Sequence, residues 1–349
     1  MNIIQVVRRF GRVGGMESYV WQLSSELLKL GHTVTVICEK SLDVVPEGIH
    51  IVEVGAVALK PRWVALYRFS LKAHQLLKRN EYQGAVVHSH ERLGVHHITT
   101  FHGPPFASIR ERPLWKRLSP RIWAHLYLEK RELLSKTVQV VVPNSCFIAG
   151  QLASYYPLVS GRLSVPVPPG VGVIPKRQPR TVNATGGIIG FVGKEWRRKG
   201  LECVLQILRR LALIRPNIEL RILGPDYEEI HPLVSSCGFK VEVLGWNDAT
   251  TYYQDMDLLI HPAKREPYGM VIAEAMASGV PVLVSDVCGV ASEIPESSGR
   301  VLSLELSFND WTKAAHELLS LSPKPTYVRT WSDVASSYEK IYRNIDISN

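Results

Sequence analysis

Two α/β domains built on parallel sheets are what this sequence predicts, and three observations predict them. Short apolar runs alternate with amphipathic stretches, the pattern of strands buried on both faces by crossover helices. The alternation breaks once, at residues 157–187 (PLVSGRLSVPVPPGVGVIPKRQPRTVNATGG), where Pro, Gly, Ser and Thr crowd together like a linker, and then restarts. The length of 349 residues suits two cores of roughly 150 residues better than one. The expected domains are residues 1–170 and 171–330, with a last helix over 331–349 following Pro323 and Pro325.

Each element has its own signal. Residues 3–7 read as a buried strand, 18–30 as an amphipathic helix stopped by Gly31, and 33–38 as a second strand. Strands are further expected at 84–88, 98–101 and 138–142, with helices near 63–79 and 120–136. Past the linker, strands are expected at 188–192, 218–223, 241–244, 258–261, 280–284 and 300–302, and a helix from about Leu201. Pro267 and Gly269 argue against a helix running through Glu266, so the next one should begin near Gly269 and end at Ser278, before Gly279.

Composition narrows the function. The five cysteines are scattered, odd in number and never in a Cys-x-x-Cys pair, which argues against a disulfide framework or a zinc site and fits a reducing compartment. The N-terminus reads as neither a signal peptide nor a membrane span, and no apolar run reaches about 18 residues. Of 41 Lys+Arg and 32 Asp+Glu, residues 1–170 hold 21 and 11, so the excess positive charge lies wholly in the first half. A one-sided basic surface suits nucleic acid, a polyanionic substrate or an anionic membrane.

The stretch REPYGMVIAEAMASGVPVLVSD (265–286) carries the sharpest chemical signal. It places Glu266 in a loop and Glu274 in the second turn of a short helix, whose leading amides at Gly269, Met270 and Val271 make an anion site. The plain alternative is two solvated acids near a helix start, favoured there by about 0.3–1 kcal/mol. A second phosphate-ready stretch, GFVGKEWRRKGLE (190–202), puts Lys194, Arg197, Arg198 and Lys199 between a strand and a helix, which suits a diphosphate.

These motifs, in this order and at these separations, resemble the retaining glycosyltransferases of family 4. The likeness runs along nearly the whole chain: GGME (14–17), GHTVTVI (31–37), TFHG (100–103), VGKEWRRKG (192–200) and EPYGMVIAEAMASGVPV (266–282). Within the family the sequence is similar to the lipopolysaccharide core glucosyltransferase that adds the first hexose to heptose. RLSPRIWAHLYLEKREL (117–133), VPPGV (167–171), RRKG (197–200) and DLLIHPA with VLVSDVCGVASEI (257–263, 282–294) carry that likeness. One position departs, since that enzyme's pattern has an aspartate where this sequence has His102.

The resemblance implies the GT-B fold, two Rossmann-like domains whose parallel sheets face across an interdomain cleft. The first would bind the acceptor and the second the nucleotide-sugar donor. The last helix would cross back to the first domain, and hinge motion would close the halves over the donor. By the same resemblance Glu274 holds the ribose hydroxyls and Glu266 the donor-sugar hydroxyls. Lys199 and Arg198, with Lys194, neutralise the diphosphate together with the amides of Gly269, Met270 and Val271. Gly14 and Gly15 let the backbone approach phosphate or acceptor, although on their own they are as readily a tight turn. His102 lines the donor-sugar pocket in relatives, although taken alone a histidine is more often a structural hydrogen-bonder.

Catalysis is thus expected from Glu266, His102 and Lys199 with retention of configuration, the departing phosphate taking the acceptor's proton. No cofactor or metal is expected. The His88, His90, His96 and His97 cluster lacks a carboxylate or cysteine at ligand spacing, and Asp255-Met256-Asp257 reads as structural. UDP-glucose is the expected donor, with UDP-N-acetylglucosamine and GDP-mannose as other candidates. A nucleotide-sugar epimerase of similar architecture is the alternative.

Residues 110–136 hold eight Lys/Arg against three acids, interleaved with Leu114, Trp115, Leu118, Ile122, Trp123, Leu126, Tyr127 and Leu128. They suit the anionic inner face of the cytoplasmic membrane, which implies a cytoplasmic, peripheral protein acting on a lipid-linked glycan. The competing reading is a helix packing its apolar side on its own domain. Nucleic acid is not expected as a partner, because the phosphate-ready elements lie in the neutral half and no aromatic RNA-binding signature appears.

Overall fold

Short runs of β-branched and apolar residues, each too brief for a helix core, pair side by side into two fully parallel sheets. The structure is a computed structural model that describes residues 1–57, 60–321 and 323–347. The chain divides into two compact units, one of residues 1–170 with everything from Thr330 onward, the other of residues 171–329.

In the first unit the strands of the six-stranded sheet are β1 (Asn2–Val6), β2 (Thr33–Cys38), β3 (Ile49–Glu53), β4 (Val86–Ser89), β5 (Ile98–Phe101) and β6 (Val140–Pro143). Their spatial order is β3-β2-β1-β4-β5-β6, with β1 paired on one side to β2 (Ile3 opposite Val34) and on the other to β4 (Ile3 opposite Val86). The helices are α1 (Gly15–Lys29), α2 (Arg62–Leu77), α3 (Pro120–Leu134) and α4 (Cys146–Tyr155). The C-terminal helix, Trp331–Tyr342, lies against α1 and buries Trp331, Val334, Ala335, Tyr338 and Tyr342. It stops at Tyr342, short of the helix expected through 349, and residues 348–349 lie outside those described. Its N-terminus is fixed by Thr330, whose hydroxyl and amide exchange hydrogen bonds with Asp333 in a capping box.

The second unit repeats the design. Its strands are β7 (Gly186–Val192), β8 (Asn217–Leu223), β9 (Lys240–Gly245), β10 (Leu258–His261), β11 (Val282–Ser285) and β12 (Gly299–Leu302), ordered β9-β8-β7-β10-β11-β12. Its helices are α5 (Leu201–Leu211), α6 (Tyr227–Val234), α7 (Met270–Ser278) and α8 (Phe308–Leu318). Leu201, Val204, Leu205, Leu208 and Leu211 of α5 join Trp311, Ala315 and Leu318 of α8 in one core over the sheet, each full burial of a large apolar side chain contributing about 1.5–3 kcal/mol.

The two units divide at residue 170, inside the Pro-rich stretch, and the part beyond it is mostly exposed but anchored: Arg177 is 6% exposed and pairs with Asp257 at 2.8 Å, while its amide donates to the Ser278 carbonyl at 2.8 Å. One sequence expectation is corrected. Thr330, expected in the second domain, belongs with the first unit because it caps the C-terminal helix. The edge strand β3 (IHIVE) was not anticipated, since its alternating polar residues lack the apolar run of the inner strands.

In both sheets the strand order reverses beside the first strand of the unit, between β1 and β4 and between β7 and β10. Loops leaving the carboxyl ends of strands at such a reversal are where α/β sheets bind ligands. β7 leads into Gly193–Gly200 and β10 into Pro262–Gly269, so the two stretches singled out from the sequence converge within the second unit.

Candidate functional site

Local backbone conformations set the cationic loop. After β7 the chain makes one helical turn, Trp196–Lys199, with Trp196 buried at 3%, and then passes through Gly200 at φ +84° into α5. A Cβ at Gly200 would stand 2.2 Å from the Pro262 carbonyl oxygen, so only glycine lets this turn press against the loop after β10. The Lys264 amide donates to the Arg198 carbonyl at 2.9 Å and ties the two loops together.

The result is a compact charged cluster. Glu266 is 8% exposed, and its Oε2 lies 3.1 Å from Lys199 Nζ, 3.4 Å from an Arg198 guanidinium nitrogen and 3.3 Å from His261 Nε2. Burial alone would raise the Glu266 carboxyl, but the His261 hydrogen bond and the Lys199 and Arg198 charges outweigh it and hold the group below the ordinary carboxylate range. Burial, opposed by Glu266, lowers the His261 imidazole. Two cations thus face one carboxylate and a neutral histidine. Arg198 also pairs with the exposed Glu195 and bonds the Arg265 carbonyl.

Next to this cluster α7 begins. Gly269 caps it at φ +104° and Gly279 closes it at φ +86°. Met270 and Val271 occupy its first two positions, where no carbonyl one turn earlier can accept their amides. Glu274 points back to β10's flank, where its Oε2 accepts from Tyr253 Oη at 2.8 Å. Burial raises the Glu274 carboxyl, only partly opposed by the Tyr253 bond. Lys194 is exposed and stands apart from Glu266, its Nζ 5.9 Å from the Trp246 ring centroid.

Asp257 is a structural carboxylate. It accepts from Arg177, Arg180 and the Ile188 amide at 2.8, 2.9 and 2.9 Å, and these partners outweigh burial and lower its carboxyl.

In the first unit Gly14 caps α1 in extended conformation, and Gly15 opens it with nothing within 4 Å of where a Cβ would be. Glu17, in the same turn, pairs with Arg9. His102 follows β5, and its Nε2 lies 2.8 Å from Nδ1 of His90. The loop after His102 is held by the buried Glu129 of α3, which accepts from the Phe106 and Ala107 amides at 2.6 and 2.8 Å, from Tyr156 at 2.8 Å, and pairs with Arg92 at 2.7 Å.

The structure therefore brings together Glu266, Lys199 and Arg198 with the start of α7, in one unit. Gly14, Gly15 and His102 lie in the other. Sequence reading missed His261 and Tyr253, and weighed His90 only as a member of a histidine cluster. His261 had one available signal, its position as the last residue of the buried strand LLIH at a carboxyl end. Tyr253 had none, because it meets Glu274 only through the fold.

Comparison with known proteins bears on the fold and the family. Residues 13–173 match the model described as Glycosyltransferase Family 4, and residues 174–330 the one described as Glycosyl transferases group 1. The lipopolysaccharide glucosyltransferase WaaG of Escherichia coli K12 is 29% identical over 168 residues, 46% of this chain and 44% of that protein. A GDP-mannose-dependent alpha-mannosyltransferase of Corynebacterium glutamicum is 31% identical over 132 residues, 37% of this chain and 30% of that one. The matched segments thus span less than half of either relative. The crystal structure of WaaG, a glycosyltransferase involved in lipopolysaccharide biosynthesis, superposes with a TM-score of 0.74 at 19% identity, covering 99% of this chain and 96% of that one. The fold is GT-B, and with the two models together spanning residues 13–330, the chain belongs to the group 1, family 4 glycosyltransferases.

Proposed function

We propose that the protein is a retaining, metal-independent hexosyltransferase that moves glucose from UDP-glucose to a lipid-linked glycan, with a lipopolysaccharide core as the favoured acceptor. The pairing of Lys199 and Arg198 with Glu266 beside the start of α7 carries this reading. Breaking a sugar–phosphate bond builds negative charge on the leaving diphosphate and positive charge on the anomeric carbon. Fixed cations and helix amides stabilise the first, and the ionised Glu266 carboxylate faces the second. The two relatives reported above are named as transferases, which favours transfer over epimerisation.

A panel of nucleotide sugars, scored by nucleotide release with and without acceptor, tests it. UDP release from UDP-glucose that requires acceptor is the expected result. Release of a rearranged sugar without acceptor would instead support the epimerase.

The acceptor side of the proposal rests on α3 and the segment before it. Leu114, Trp115, Leu118, Trp123 and Tyr127 are 59–73% exposed, whereas Leu128 and Leu133 turn inward. So the packing alternative accounts for the second half of the helix, and the outward aromatic face favours a lipid headgroup layer. Beside it a recess of about 550 Å³ is lined by Lys60, Arg62, Trp63, Arg121 and His125, which suits headgroup phosphates. Among the described residues no helix is long and apolar enough to cross a membrane. Binding to vesicles containing anionic lipid is expected at low salt, and Arg121→Ala should weaken it by about 1 kcal/mol, roughly fivefold. Vesicle binding that ignores salt and Arg121→Ala would remove this surface from the proposal.

A further inference from the structure

A chain of buried polar groups runs through the first unit from the C-terminal helix to His102. Tyr342 Oη lies 2.8 Å from His88 Nδ1 and accepts from Gln5 Nε2 at 3.1 Å. Gln5 Oε1 lies 2.8 Å from His90 Nε2, and His90 Nδ1 lies 2.8 Å from His102 Nε2. Gln5 is 0% and His90 4% exposed, so water does not compete for the bonds that Gln5 makes to Tyr342 and His90.

The chemistry of the partners fixes where the protons are. A carboxamide oxygen only accepts, so His90 Nε2 must carry the hydrogen it donates to Gln5. Burial drives the His90 imidazole well below its ordinary range, so the ring is neutral and its Nδ1 is a bare lone pair. His102 Nε2 must then be the donor in the bond between the two rings. Burial likewise pushes His102 down to about 3, so its ring is also neutral and its Nδ1 carries no hydrogen. Among the described residues no hydrogen bond reaches that Nδ1.

We infer that His90, oriented by Gln5, is a positioning residue that locks His102 in the tautomer protonated at Nε2, so that His102 offers substrate only an acceptor. Such an atom takes a hydrogen bond from a sugar hydroxyl and repels a phosphoryl oxygen. The C-terminal helix takes part, because Tyr342 accepts from the Gln5 amide nitrogen and so orients its oxygen toward His90. The preference for a hydroxyl rests on the sugar-transfer reading above, but the tautomer itself does not.

The test is two-bond proton–nitrogen correlation NMR of the full chain labelled with 15N-histidine, at neutral pH. The expected spectrum shows both His90 and His102 protonated at Nε2, with Nδ1 at the shift of an unprotonated nitrogen. A His102 protonated at Nδ1 would overturn the inference, whatever reaction the protein catalyses. His90→Asn keeps an acceptor for His102 and should retain its tautomer, whereas His90→Phe should leave a mixture of both. In the transfer assay His90→Phe is expected to lower kcat about tenfold or more, with His90→Asn recovering most of it. Matched thermal unfolding identifies a variant that merely fails to fold, and the wild-type spectrum decides the tautomer without any variant. Equal tautomer populations in both variants would show that His90 does not set the state.

Discussion

Lys199→Ala is expected to lower kcat/KM for the donor by about 10²–10³-fold, the usual consequence of removing one preorganised donor from a developing oxyanion. The side chain is prepared for that role before any substrate contact. Its stem passes over Gly193 so closely that a Cβ there would fall 2.1 Å from Lys199 Cδ. Its ammonium is held 3.1 Å from Glu266, and the side chain is 14% exposed. Orientation has therefore been settled during folding, and little reorganisation is left for the transition state. Because the charge counts most as the diphosphate departs, the loss should fall on kcat as well as on kcat/KM. Arg198→Ala should cost less, since its guanidinium is shared with Glu195 and the Arg265 carbonyl. Steady-state kinetics on the two variants checks this, and a drop of less than about threefold for Lys199→Ala would remove it from the reaction.

Much of this site can be read in the sequence because its logic is local. Gly193 follows a strand end, Gly200 and Gly269 stand just before helices, and the basic run WRRK lies between a strand and a long helix. The pairing of Glu266 with Lys199 is not local, because it requires β10 to lie beside β7 in the sheet. That neighbour relation comes from strand order, which apolar periodicity does not encode. The same limit hides how the Pro-rich stretch is anchored. Proline and glycine report what a backbone can do alone, whereas Arg177 is buried because Asp257 waits 80 residues later to pair with it. His90 was noticed only as part of a histidine cluster, and its role depends on Gln5 from a different strand.

Glu266 and Glu274, eight positions apart and alike in the sequence, are expected to fail in different ways. Glu266 closes an ion cluster, so Glu266→Ala leaves Lys199 beside Arg198 without its counter-charge, while Arg198 keeps only the exposed Glu195. Removing one partner of a buried pair typically costs about 3–5 kcal/mol, so this variant should lose stability as well as kcat. Glu266→Gln separates the two causes, since its amide oxygen can still accept from His261 but carries no charge. If charge is what matters, Gln should be nearly as slow as Ala; if orientation of His261 matters, Gln should recover much of the rate. The pH dependence gives an independent reading. The Glu266 carboxyl is lowered in the folded protein, so its contribution to stability is complete above the ordinary carboxylate range and fades as the pH falls through the depressed value. Glu266→Gln should lack that acid-sensitive part. Glu274 is linked to Tyr253 instead, and Glu274→Ala leaves a buried hydroxyl without its acceptor at about 1–3 kcal/mol. As the proposed holder of the ribose, it should raise the donor KM while kcat changes little. The two carboxylates divide binding from catalysis only if the parameters separate in this way, and equal losses of kcat and KM in both variants would refute the division.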